Sequence, residues 1–155
     1  MTVRKWRIAL AGWMGLIFLL SSRWLAFGMS ADATEAYLGI LNYAIRKLAH
    51  LTEYAVLTYL LLRSIWIEPR RFGPCLAWSA VLSVCFAATD EIHQYSVPGR
   101  LGTWTDVLYD AAGALLMVFL LWKIRNGENA ALKRRILGFS DRAAERAYNK
   151  RSRPA

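Results

Sequence analysis

Four apolar blocks set the terms on which this chain can fold. They are Ile8–Leu20, extendable past Ser21, Ser22 and Arg23 to Phe27, then Ala49–Ile67, Pro74–Thr89 and Val107–Ile124. A helix needs about 20 mostly apolar residues, within roughly 17–25, to cross hydrocarbon. The second and fourth blocks reach that length. The first and third reach it once their polar ends sit among headgroups, where Arg23 can snorkel. A soluble four-helix bundle is the competing arrangement, but each of its helices needs a polar stripe at helical spacing. Ala55–Leu62 offers only Thr58 and Tyr59, and Leu115–Leu121 offers nothing polar. The expected fold is therefore all-α, a polytopic membrane bundle of four transmembrane helices.

Composition agrees. The chain has 155 residues, 56% of them hydrophobic, and seven tryptophans. Its net charge of +9 does not read as a nucleic-acid face, because half of the twenty Lys and Arg residues follow Leu121. No basic and aromatic residues interleave there as base stacking requires, so no nucleic-acid partner is expected. Cys75 and Cys85 lie in apolar surroundings and read as buried free thiols. Arg4, Lys5 and Arg7 before the first block resemble a signal peptide, but Ser21-Ser22-Arg23-Trp24 is a poor cleavage site, which favours an uncleaved first span. The division drawn is a four-helix membrane domain over 1–124 and a basic tail over 125–155. The tail mixes Leu132, Ile136, Leu137, Phe139 and Tyr148 with its charges, so it fits an interfacial helix on anionic lipid or a solvated arm equally well.

Orientation follows from the basic residues, since Lys and Arg in short loops mark the cytoplasmic side. With four spans, the N-terminal end, the second loop (Arg63, Arg70, Arg71) and the tail share one side and hold sixteen of the twenty. The other side holds Arg23, Arg46, Lys47 and Arg100. Both termini are expected to be cytoplasmic. Between the first two blocks, Ala36, Leu38, Ile40, Leu41, Ala44 and Ile45 recur at roughly helical spacing after Ser30 and Asp32 as caps. This predicts a short amphipathic helix on the outer surface, leading into the second span. Pro98 and Gly99 suit the central positions of a type II turn, which would hold Arg100 near two helix ends.

The ionisable residues gather at the outer ends of these helices, and charges at the edge of hydrocarbon are costly enough to suggest function. Lys47, His50, Glu53, Tyr54 and Leu57 share one face of the second helix, with His50 and Glu53 one turn apart. Asp90, Glu91, His93 and Gln94 close the third. Asp106, Asp110 and Gly113 share a face of the fourth, with Thr103 and Thr105 just before it. Asp110 lies inside the apolar run and needs a partner, with Arg100 or a histidine the expected one. Gly113 permits close helix approach.

Three chemistries are open to this set. His50 with Glu53 and Asp90 with His93 offer imidazole and carboxylate groups to a metal, though no zinc spacing is matched. A histidine beside a partly buried carboxylate suits acid–base catalysis, with His50, Glu53, Asp90, Glu91, His93, Asp106 and Asp110 as candidates. Lys47, Tyr54, Gln94 and Arg100 are candidates for binding substrate, Arg100 and Lys47 as an anion site. There is no phosphate-binding glycine loop and no nucleophile elbow. The residues leave the cofactor, the substrate and the oligomeric state unspecified.

Lys47-x-x-His50-x-x-Glu53-Tyr54, Asp90-Glu91-x-His93-Gln94, Pro98-Gly99-Arg100 and Asp106 followed by Gly113 resemble the motifs of the VanZ-like membrane proteins, and Ser21 and Ser22 closing the first span also fit. The resemblance covers about Leu16–Leu121. It departs at Asp110, where it leads one to expect asparagine in many relatives. It implies a small multi-pass protein of the bacterial inner membrane, linked through the family's founding member to resistance to the glycopeptide teicoplanin. Two functions follow as expectations. One is an enzyme acting on a lipid or lipid-linked envelope precursor in the bilayer. The other is a non-catalytic envelope protein whose polar cluster is a structural network or binding pocket. A proton-coupled carrier is weaker, because no polar path continues through the second half of the bilayer.

Overall fold

The structure, a computed structural model, describes residues 3–21, 31–67, 71–96 and 104–138, with the backbone alone described over 31–42. These residues form five helices and no strand: α1 (Val3–Ser21), α2 (Ala31–Ile65), α3 (Phe72–Tyr95), α4 (Trp104–Asn126) and α5 (Ala130–Leu137). Arg23, Pro98, Gly99, Arg100 and Thr103 lie outside the described residues, as does the chain beyond Gly138.

α2 is the central helix and packs against α1, α3 and α4, while α3 also packs on α4 and α1 touches α3 only slightly. Consecutive helices alternate in direction. One end of the bundle joins Ser21 to Asp90 and Lys47 to Asp106. The other end sets Trp6 edge-to-face with Tyr59 and Trp66 edge-to-face with Phe72. Two apolar cores result. One holds Ile17, Tyr54, Leu57, Leu61 and Ala87 in the middle, and the other holds Leu62, Trp66, Phe72, Leu76, Leu121 and Leu137 toward the basic end.

The polarity of this bundle is reversed from that of a soluble one. Leu115 is 62% exposed and Trp78 61%, whereas Asp110 is 2% exposed and Glu91 5%. Hydroxyls along the helices are satisfied locally, Thr58 donating to the Tyr54 carbonyl at 2.8 Å and Ser64 to that of Leu60 at 2.7 Å. That is the arrangement needed where no water is present to serve them.

The expectation of four spans is met in part, and a second expectation is revised. Among the described residues, only α3 and α4 are long and apolar enough by themselves to cross a membrane. α1 carries Arg4, Lys5 and Arg7 in its first turns, so every 18-residue window of its 19 residues includes all three. The apolar stretch of α2 is interrupted by His50, Glu53 and Arg63. Nor is the segment before the second block a separate surface helix, because α2 runs unbroken for 35 residues. No proline or glycine pair interrupts it around Lys47, so nothing in the chain ends one helix and starts another.

α5 gives the start of the tail a defined place. Asn129 caps its N-terminus by accepting from the Leu132 amide at 2.9 Å. Its last carbonyls are met by α2, with Arg63 donating to the Leu137 carbonyl and Tyr59 to that of Ile136 at 2.9 Å. Gly138 ends the helix at φ 85°, and Leu137 is buried. The guanidinium of Arg63 also lies 4.6 Å from the centre of the Trp6 ring, so α1, α2 and α5 meet at one point.

Candidate functional site

The site begins with a missing side chain. A Cβ on Gly113 would overlap the backbone carbonyl of Leu51, so α2 and α4 approach backbone to backbone. The two helices run in the same direction, and similar steps along each give a ladder of pairs. Lys47 donates to Asp106. One turn deeper, His50 Nδ1 lies 3.0 Å from Asp110 Oδ1. Asp110 thus takes a histidine, one of the two partners its depth in the apolar run calls for. With Asp110 ionised, Nδ1 carries the shared proton and Nε2 is left as the basic atom. The Lys47 ammonium is also flanked by the rings of Tyr43, at 5.1 Å, and Tyr109, at 4.9 Å. Its charge is therefore already matched, which leaves less of it for an anionic substrate.

A second set joins α1 to α3. Ser21 Oγ donates to Asp90 Oδ2 at 2.7 Å, and Gln94 Nε2 donates to the same oxygen at 2.8 Å and to Ser21 Oγ at 3.3 Å. Both Asp90 and Gln94 are buried, and Asp90 Oδ1 meets no partner among the described residues. His93 stacks on Phe18 at 4.1 Å and 25°, which places it on the α1 side of the bundle. Trp13 Nε1 donates to the Glu53 backbone carbonyl at 3.0 Å, tying α1 to α2 just below.

Tyr54 stands between the two sets. It is fully buried, and its phenol lies within electrostatic reach of Asp110, Asp90, Glu53 and Glu91. Its hydroxyl meets no partner among the described residues. A buried donor left without an acceptor is costly, and the Tyr54 hydroxyl is in that position. Asp90, Glu91, Asp106 and Asp110 are all buried, whereas no Lys, Arg or His among the described residues is. Among the described residues, no group of three or more His, Cys, Asp or Glu side chains gathers as a metal would require. What the arrangement offers chemically is a histidine hydrogen-bonded to a buried carboxylate, beside a second buried acid held by a serine and a glutamine.

The residues singled out in the sequence therefore fall into two bridged groups. Lys47, His50, Asp106 and Asp110 line the α2–α4 contact, and Asp90 and Gln94 line that of α1 with α3, with Tyr54 and Glu91 buried nearby. Arg100 lies outside the described residues. Tyr43, Tyr109, Trp13 and Phe18 were not singled out. Tyr43 precedes Lys47 by four positions and Tyr109 follows Asp106 by three, so helical spacing could have found that pair.

The sequence model of the VanZ/LLP1 family matches residues 6–126. No curated protein and no solved structure matches the chain.

Proposed function

The chain belongs to the VanZ/LLP1 family, and from that we propose that it is a membrane protein with an acid–base site, acting on a lipid or lipid-linked component of the cell envelope. The two apolar helices and the family support a membrane protein linked to glycopeptide resistance. In this reading α1 and α2 cross the bilayer with α3 and α4, both termini are cytoplasmic, and the polar end faces outward from the bacterial inner membrane. α2 is about 50 Å long at 1.5 Å per residue, against about 30 Å of hydrocarbon, so its first turns stand beyond the outer interface.

One observation carries the acid–base reading: His50 is hydrogen-bonded through Nδ1 to a carboxylate that is 2% exposed. A buried acid behind an imidazole fixes its tautomer and orientation and stabilises the imidazolium once a proton is taken. His50 Nε2 then accepts a proton from, or returns one to, a group bound beside it. Tyr54 supplies a hydrogen bond. Glu53, Asp90, Glu91, His93 and Asp106 make up the surrounding titratable set, and Gln94, with Lys47 and Arg100, orients the bound molecule.

The other reading is a non-catalytic network, favoured by the way Asp90 is held between Ser21 and Gln94 across two helices. The two are separated by expressing His50→Ala and His50→Gln in a teicoplanin-susceptible bacterium. Membrane levels are followed by immunoblot and teicoplanin susceptibility is scored alongside. The acid–base reading expects any protection given by the wild-type chain to be lost while the protein accumulates normally. Full protection from His50→Ala at normal levels overturns it.

A further inference from the structure

The weak contact between α1 and α3 leaves a groove of about 270 Å³ along the side of the bundle. Met14 lines it from α1, Leu57 and Leu61 from α2, and Leu82, Phe86 and Thr89 from α3. We infer that this groove holds a hydrocarbon chain of a membrane lipid and presents that lipid's polar end to the buried acids. The inference rests on the proposed function and names the class of molecule on which the site acts.

Register is the first argument. On each of the three helices the groove lies one to two turns below a polar residue of the site. Leu57 is three positions from Tyr54, Phe86 four from Asp90, and Met14 seven from Ser21. The Tyr54 and Phe86 rings are 6.4 Å apart, so the floor of the polar cluster is the roof of the groove. An apolar channel stacked beneath buried acids on three helices at once matches an amphiphile, with its tail below and its head above.

The second argument is the medium. Leu82 and Cys85 of the lining are exposed, as are Trp78 and Val81 on the same helix, and in a membrane protein such a surface meets lipid tails. A chain from the bilayer therefore enters sideways without crossing water. Its preference for the groove comes from van der Waals contact on three sides in place of loosely packed neighbours. At the upper end the Ser21–Asp90 hydrogen bond and the His93–Phe18 stack join α1 to α3, so the groove ends beside Asp90.

The test uses the full chain in vesicles of phosphatidylethanolamine and phosphatidylglycerol, doped with a phosphatidylglycerol bearing a diazirine on one acyl chain. After illumination, adducts are mapped by mass spectrometry. The inference expects adducts on Met14, Leu82, Cys85 and Phe86 to exceed those on Leu115 and Phe119 about tenfold, the ratio that a packing preference of about 1.4 kcal/mol produces. Leu82→Trp and Cys85→Phe, each filling the groove, should abolish the excess. Labelling spread evenly over all exposed apolar residues, or an excess that survives both substitutions, overturns the inference. His50→Ala keeps the two proposals apart: enriched labelling with unchanged teicoplanin protection removes the acid–base reading alone, and lost protection with even labelling removes the groove alone.

Discussion

Gly113 lies against the backbone carbonyl of Leu51, and that contact sets the spacing at which His50 meets Asp110. The glycine is three residues beyond Asp110, and Leu51 is next to His50. The absence of one Cβ is thus a condition for the pairing one turn away.

Gly113→Ala should push α2 from α4, because the neighbour it meets is backbone and not a side chain that can turn aside. The expected loss is about 1–3 kcal/mol, typical of overpacking. Thermal unfolding of the detergent-solubilised protein measures it, and Gly113→Val should be worse. An unchanged midpoint for both would mean that the helices are not in contact there.

Asp110→Asn retains an acceptor for His50 Nδ1 and should accumulate near the wild-type level. Asp110→Leu leaves the imidazole without its partner in a buried site and should lose about 1–3 kcal/mol. Comparing membrane levels and unfolding midpoints of the two variants checks this, and equal stability would show that the hydrogen bond contributes nothing.

Ser21 and Asp90 should be energetically coupled, since their hydrogen bond is one of few ties between α1 and α3. A double-mutant cycle with Ser21→Ala and Asp90→Ala is expected to give about 0.6 kcal/mol, and no more than about 1.7, the range known for interhelical hydrogen bonds in a membrane bundle. Strict additivity would place the two side chains apart.

Arg63→Ala should release α5, as the carbonyls of Ile136 and Leu137 lose a charged donor and Trp6 loses its cation. Limited trypsin digestion of membranes opened on the tail side reads this as faster cleavage after Lys133, Arg134 and Arg135. Tyr59→Phe removes one hydrogen bond and should act in the same direction more weakly. Gly138→Ala should also loosen the helix end, by about 1–2 kcal/mol, because its φ of 85° is unfavourable with a Cβ and the Arg63 guanidinium occupies the space. Cleavage no faster in any of the three would leave α5 undocked.

A reporter fused after Ala155 should be active only in its cytoplasmic form, and one inserted after Tyr95 only in its exported form. The reverse pattern would place the polar end inside the cell and overturn the orientation on which the outward-facing site depends.

Much of the bundle was legible before any coordinates. Apolar runs without a polar stripe announced helices with greasy exteriors, and positions 47, 50 and 54 or 106, 110 and 113 announced faces that must turn inward. These are one-dimensional properties, because helical spacing and the cost of burying charge are local rules. The same rules misjudged the segment before Lys47, which has polar and apolar residues enough for a surface helix yet continues α2 without a break. Docking of α5 was also out of reach, since it depends on Arg63 meeting carbonyls more than 70 residues away.

The sequence by itself determined that helices would form, which stretches would be apolar on their outer faces and which acids would need partners. Only the tertiary structure decided the partners. It gave Asp110 to His50, Asp106 to Lys47 and Asp90 to Ser21 and Gln94, and it left the Tyr54 hydroxyl between them with none among the described residues. The reason is geometric. Spacing along one helix says which residues share a face, but the rotation and offset of two helices follow from how closely their backbones can pack. Here that is set by Gly113 against Leu51.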